Sequence, residues 1–461
     1  MNQILFSKNK KTIDVTPTQL TIYKQSKIVE LMDKEKNHYY LFFFKDEFIN
    51  GLQANEIKID SYLHKAFNKG FNYNGNHPLT NIVLSNKKTY TNHRFNQLYT
   101  KVKQNHSLIE AAYIFTFFDS FIPKSEIVKL LKSVYYHYRR NGQLNNAFKT
   151  IKVYEISMPN DHFAKEMLNN IQFQPYEILY QDIKSLTSKD NIYIESYCYD
   201  HLTNSNITFL TGILKKQNRW IDVLTLQMYQ LARAGAPSTF YEIKTIMEEH
   251  LTYDQQVLLL LDLLPQFKHT LQEVQQHLFE ILIQQKGYNQ LIELVVTEEL
   301  STTPKQLKFI SHSFEQADSH LFPSLFSQLN HKLLSLYKHD PKTLEKVTHR
   351  CVKSFSPYYS IGKIIEWISP IKEAGLSLPI EKKLIKMEKL ENDPDGQFIL
   401  GELYLNFDLL DKSIDCFKWE MELHPEDPKP LQLLTKVLKQ MGNTEEANAY
   451  HHLLLQLQKS S

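Results

Sequence analysis

The stretch from residue 394 to residue 461 constrains the fold most, because it repeats one pattern twice with an offset of 34 residues. The offset aligns four pairs of similar residues: Pro394 with Pro428, Leu400 with Leu434, Tyr404 with Leu438, and Ser413 with Ala447. Each copy contains two runs of helical spacing with a short turn between them. A fixed period of this length indicates stacked helical hairpins, since a single hairpin cannot bury its apolar face alone.

The first copy resembles the tetratricopeptide repeat in the positions that the family motif specifies: Leu400, Gly401, Tyr404, Ser413, Phe417 and Pro425. It departs from the motif at Gln397, where the family has a bulky apolar residue. The second copy keeps the corresponding residues Leu431, Leu434, Leu438, Gly442 and Ala447. It departs at Thr435 and His451 and lacks the closing proline. A third match lies upstream, with Tyr135 in place of the small residue: Leu131, Val134, Tyr138, Gly142, Ala147, Ile151 and Pro159.

The resemblance implies an all-α fold in which helical-hairpin repeats form a solenoid. We predict degenerate repeats over residues 106–355, and a C-terminal helical region over 356–461 with tetratricopeptide-like repeats at 394–427 and 428–461. Periodicity predicts individual helices at 144–157 and 342–355.

For the N-terminal region, residues 1–105, two predictions remain. It forms either diverged helical hairpins or a small separate α or α+β domain. Its run of apolar residues at 39–44 fits a buried strand or a helix segment, because periodicity does not decide on so short a run.

Composition argues against several classes of function. The 53 Lys and Arg residues nearly balance 51 Asp and Glu, so no global charge favours nucleic acid or an anionic membrane. We find no HExxH, GxSxG or GxGxxG motif. The histidines of one region are not spaced as zinc-ligand pairs on a helix face: His312, His320, His331 and His339. We therefore expect no enzymatic activity, no cofactor and no metal.

Cysteine usage and hydropathy bear on the compartment. Cys198, Cys351 and Cys416 are widely separated and form no CxxC pair, which suits a reducing compartment. No apolar run reaches the ~20 residues that a membrane-spanning helix needs. We expect a cytoplasmic protein with no membrane span.

Candidate partner-binding residues follow from the resemblance, because the first helix of each such repeat lines the concave groove. The final repeat offers Lys429, Gln432, Lys436 and Lys439, and the upstream repeat offers Lys129, Lys132, Tyr136 and Arg139. The three lysines of the final repeat share one helix face. Such a face can hold an acidic segment of a protein or peptide. The alternative is a solvated face on a terminal, polar capping repeat.

The resemblance implies a non-enzymatic scaffold or adaptor that binds a protein or peptide segment in its groove. A first alternative is a helical-repeat protein that binds nucleic acid, because residues 135–140 mix aromatic and basic side chains. The balanced net charge weighs against it. A second alternative is a peptide-responsive regulatory switch whose N-terminal region engages a target.

Overall fold

The computed structural model describes residues 4–8, 11–234, 237–264, 272–298 and 302–460. The chain divides into two compact units, Met1–Gln275 and Gln276–Ser461, and each is described by itself.

The first unit begins with a seven-stranded sheet. Its strands are β1 (Ile4–Lys8), β2 (Lys11–Tyr23), β3 (Ser26–Met32), β4 (His38–Phe44), β5 (Glu47–Gln53), β6 (Phe71–Asn74) and β7 (Thr89–Thr91). Their order is β5-β4-β3-β2-β1-β7, and β6 pairs with β2. Only β1 and β7 pair in parallel among these strands. The long strand β2 pairs with β1 through its first residues, and with β3 and β6 through the rest.

The sheet decides between the alternatives left open for residues 1–105: this region contains strands, so the all-α fold expected for the rest of the chain does not extend to it. Strand β4 shows why its sequence was ambiguous, because both of its faces are buried. The ring of Tyr39 contacts Phe6 on one face, with centroids 4.7 Å apart. On the other face, Phe42 packs against Phe118 of the helical part, with centroids 5.0 Å apart. A strand buried on both faces has no polar alternation, so it resembles a buried helix in sequence.

The sheet curls until strands β5 and β7 contact each other. Asn50 of β5 is fully buried at this junction. Its Nδ2 donates to the His93 carbonyl oxygen at 3.1 Å, and its Oδ1 accepts from the His93 N–H at 2.8 Å. One side-chain amide thus supplies both hydrogen bonds that a neighbouring strand residue would supply.

The other described elements of the first unit are helices with a few 3-10 turns. The helices are α1 (Tyr62–Lys69), α2 (Pro78–Ser85), α3 (Phe95–Asn105), α4 (Leu108–Thr116), α5 (Lys124–Arg140), α6 (Leu144–Ser157), α7 (His162–Leu168), α8 (Gln174–Gln181), α9 (Asn191–Asp200), α10 (Asn204–Lys216), α11 (Trp220–Ala234), α12 (Pro237–His250) and α13 (Tyr253–Leu263). One hydrophobic core continues from β3 and β4 through α11. This core includes residues on both sides of position 105. The predicted domain boundaries at 105 and 355 stay predictions.

The second unit is helical throughout its described residues. Its helices are α14 (Gln272–Gln284), α15 (Tyr288–Thr297), α16 (Pro304–Gln316), α17 (Phe326–Tyr337), α18 (Pro341–Phe355), α19 (Ile361–Glu373), α20 (Pro379–Leu390), α21 (Gln397–Asn406), α22 (Leu410–Leu423), α23 (Pro428–Gln440) and α24 (Thr444–Ser460). The first turn of α14 belongs to the first unit. The two copies of the 34-residue pattern form the hairpins α21–α22 and α23–α24. The small residues Ser413 and Ala447 are fully buried in them.

Candidate functional site

The two lysines predicted to bind a partner on α5 are both engaged by neighbouring side chains. Lys129 pairs with Glu126 at 2.8 Å on the exposed surface of the helix. The Lys132 ammonium lies 4.3 Å from the centroid of the Phe163 ring. Both contacts lie within the chain and are weak at an exposed surface, so the role of these lysines in binding a partner stays a prediction.

The other two predicted residues of α5 lie beside Tyr135, which is fully buried. Arg139 Nη1 donates to the Tyr135 hydroxyl at 2.6 Å. Tyr136 is 40% exposed, and its ring contacts Tyr135 at a centroid distance of 5.1 Å. Part of the aromatic and basic run at 135–140 is therefore used for packing, because Tyr135 and Tyr138 are both buried.

The four residues predicted on α23 are arranged differently, because all of them are exposed on one side of the helix: Lys429, Gln432, Lys436 and Lys439. The opposite side of α23 is buried and includes Leu431, Leu434 and Leu438. In the described part of the chain, no side-chain hydrogen bond or ion pair engages these four. Their role in binding stays a prediction.

A groove that the sequence analysis missed lies between α14 and α16, with a volume of about 630 Å³. Phe279 and Ile283 of α14 and Phe309 of α16 line its apolar part. A volume of roughly 300–1,000 Å³ is usual for sites that hold a ligand or a few side chains. The groove can therefore accept one or two apolar side chains of a peptide.

Three basic residues of α16 line the same groove: Lys305, Lys308 and His312. Their spacing places them along one face of the helix. Neither lysine has an ion-pair partner among the described residues. Glu280 is the carboxylate of the lining, and its Oε1 accepts a hydrogen bond from Gln276 Nε2 at 2.9 Å. The groove therefore carries a net positive charge beside an apolar surface.

The first turn of α16 strengthens this positive potential. Thr303 caps the helix and forms a capping box with Gln306. The turn contains no acidic residue, and Lys305 stands where the helix dipole already places positive charge. A lysine there costs the helix about 0.3–1 kcal/mol, so helix stability does not explain its position. In the sequence, the spacing of Lys305, Lys308 and His312 fits one basic helix face, but it does not indicate the apolar groove beside that face.

The buried charges of the first unit form a network instead of an open site. Arg219 donates from Nη1 to Glu195 Oε1 at 2.7 Å and from Nη2 to Asp222 Oδ1 at 3.1 Å. Gln25, in the turn between β2 and β3, donates to the same Glu195 oxygen at 2.6 Å. The side chains of Arg219, Glu195 and Asp222 are each at most 3% exposed, so these charges neutralise one another inside the unit.

The described residues contain no group of three or more His, Cys, Asp or Glu side chains that could hold a metal ion. No helix in the same residues is both long and apolar enough to cross a membrane. The three cysteines are free thiols, and all are buried.

Comparison with known proteins gives no family. No protein-family model matches the chain, and no curated protein matches it. Among solved structures, the chain is similar to a chain in the structure of Naa15/Naa10 bound to HypK-THB, at 12% identity and with a TM-score of 0.15. The match covers 78% of this chain and 65% of that chain. At this TM-score, the likeness carries no argument about function.

Proposed function

We propose that the protein is a non-enzymatic helical-repeat scaffold, similar to tetratricopeptide-repeat adaptors, which binds an acidic segment of a partner protein. The groove between α14 and α16 is the observation that carries the proposal. It combines an apolar part with two lysines that form no ion pair among the described residues.

A peptide that suits this groove carries an apolar side chain for the surface at Phe279 and Phe309, with carboxylates next to it. The carboxylates face Lys305 and Lys308, which bind them as point charges. Burial of the apolar side chain contributes most of the affinity, while the lysines select acidic partners and speed association.

The exposed lysines of α23 are a second candidate surface of the same chemistry. They are exposed charges, and none of them lines the α14–α16 groove. We rank them below the α14–α16 groove, because exposed charges alone contribute little affinity.

The test is affinity purification of partners with the full chain and three double variants of equal charge change. Lys305→Glu/Lys308→Glu alters the groove, and Lys436→Glu/Lys439→Glu alters α23. The control is Lys382→Glu/Lys386→Glu on α20, where both lysines are exposed and line no described groove. Each purification is done with and without nuclease, and partners are quantified by mass spectrometry.

We expect acidic protein partners that survive nuclease, that are lost in the groove variant and that are kept in the control. Loss in the α23 variant alone would move the site to α23. Partners that disappear with nuclease would favour the helical-repeat protein that binds nucleic acid. Equal recovery in all four proteins would contradict the proposal.

A further inference from the structure

A separate groove of about 450 Å³ lies in the first unit, between α12 and the start of α11. Trp220 and Val223 of α11 form one side of it, and Tyr241 and Ile246 of α12 form the other. The Trp220 ring stacks on His250 with centroids 4.6 Å apart and planes 13° from parallel. The indole is therefore held in a fixed orientation in the wall of the groove.

One aromatic side chain of the lining is open to solvent, and the other is partly exposed. Tyr241 is 72% exposed, although it is a large amphipathic side chain. Tyrosine and tryptophan that stay accessible beside a groove are the residue types that most often anchor binding partners. Their ring faces also carry the negative side of the π quadrupole, which attracts cations.

The charges around the groove do not cancel. Lys215 pairs with Glu242 at 2.8 Å, so these two charges compensate each other. Arg219 also lines the groove, but its guanidinium is already bound to two carboxylates, Glu195 and Asp222. Glu249 is left, with a side chain that is 65% exposed and an Oε2 atom 3.7 Å from the His250 ring. The lining thus presents the exposed carboxylate of Glu249 together with the aromatic side chains of Trp220 and Tyr241.

We propose that this groove binds an arginine side chain from a segment of a partner protein. The guanidinium lies on the ring of Trp220 or Tyr241 and donates hydrogen bonds to the Glu249 carboxylate. Arginine fits better than lysine, because its planar, weakly hydrated group stacks on aromatic rings and binds a carboxylate through two parallel donors. The site is distinct in place and charge from the α14–α16 groove, so the two proposals fail independently.

The test uses the full chain labelled with 5-fluorotryptophan, which places one fluorine on each of its three tryptophans. Trp367 and Trp419 lie in the second unit and serve as internal references. The protein is titrated with Nα-acetyl-arginine amide and, separately, with Nα-acetyl-citrulline amide. Citrulline keeps the planar shape of arginine and removes its charge.

We expect the arginine derivative to shift the Trp220 fluorine resonance in a saturable way, with a dissociation constant on the order of millimolar for so small a ligand. The citrulline derivative should bind about 2- to 5-fold more weakly, because that is the gain that a cation contributes at an open aromatic site. The Trp367 and Trp419 resonances should not move.

Substitution of a glutamate tests whether the carboxylate of the groove contributes to binding. Glu249→Gln should weaken arginine binding about 2- to 5-fold. Glu248→Gln is the matched control, because Glu248 is the adjacent residue, pairs with Lys244 and does not line the groove. Equal affinity for arginine and citrulline would overturn the proposal, as would no saturable shift at Trp220 or an unchanged affinity in Glu249→Gln.

Discussion

Lys27 Nζ lies 2.6 Å from Asp222 Oδ2, and only 1% of each side chain is exposed. Lys27 belongs to β3 and Asp222 to the first turn of α11, so the pair joins the sheet to the helical part of the same unit. Burial alone would raise the pKa of Asp222, but Arg219 and Lys27 outweigh it and lower that pKa. The carboxylate is therefore charged, and it depends on both cations.

The substitution Lys27→Met should destabilise the first unit strongly. The substitution removes one of the two cations that contact the buried Asp222 carboxylate, and broken buried pairs cost about 3–5 kcal/mol. Arg219 still pairs with Asp222 at 3.1 Å, so we expect about 3 kcal/mol, the lower end of that range. The measurement is native-state hydrogen exchange in peptides from β3 and α11 across a urea series, which gives the local free energy of opening.

Lys129→Met is the matched control for this loss of a lysine charge. Lys129 pairs with Glu126 across the surface of α5, and its side chain is 72% exposed. The same substitution there should change stability by less than about 0.5 kcal/mol, because exposed ion pairs contribute little. A similar effect at both sites would show that the buried pair has no special role.

Acid should weaken the first unit through His77, which caps α2. Its Nδ1 accepts from the Leu79 N–H at 3.2 Å, and its Nε2 lies 3.7 Å from Asp262. Burial lowers the pKa of His77 from 6.5 to about 4, and Asp262 offsets only part of that effect. The unfolded chain binds a proton below pH 6.5, whereas the folded chain does not until about pH 4. Stability should therefore fall by about 3 kcal/mol across this window and be unaffected by His77 above it.

The variant His77→Asn isolates this contribution. Asparagine is a good N-cap, so it keeps the acceptor for the first turn of α2 and removes the titrating group. We expect urea unfolding to show a smaller loss of stability in the variant than in the wild type between pH 6.5 and pH 4. The pKa of Asp119 is raised by burial to about 6 and has the opposite effect in part of this window, but it is present in both proteins and cancels. Parallel pH profiles for the two proteins would contradict the assignment to His77.

The helical elements were predictable where local signals agreed. The helix predicted at 144–157 is α6, and the one predicted at 342–355 is α18 with one more residue at its start. Asp340 caps α18 and Pro341 begins it, both of which are local signals. The bounds of such helices are set by residues close in the chain, so they can be predicted from one sequence.

The sheet and the candidate grooves depend on residues far apart in the chain. Lys27 and Asp222 are separated by 195 positions, and no local pattern indicates that two such charges meet. The groove between α14 and α16 likewise forms only because apolar residues of two separate helices lie side by side. The basic face of α23 is evident from the spacing of its lysines, but a groove beside it would depend on side chains of other helices.

Gly401 lies where α21 and α22 approach each other closely, so a larger residue there should destabilise the hairpin. A Cβ atom there would lie 2.6 Å from Phe417 Cε1 and 3.1 Å from Cys416 Cβ, so α21 and α22 pack too closely for any side chain. Phe417 is fully buried and has little room to move. Gly401→Leu should therefore cost about 1–3 kcal/mol by overpacking.

Gly212→Leu in α10 separates this close contact from the general effect of a glycine in a helix. Nothing lies within 4 Å of a Cβ atom at Gly212, so leucine there should stabilise its helix by up to about 1 kcal/mol. Opposite signs at the two glycines, measured by hydrogen exchange in α21 and α10 across a urea series, would establish that Gly401 is small because Phe417 occupies the space. A stabilising leucine at both positions would show that α21 and α22 are further apart than this hairpin requires.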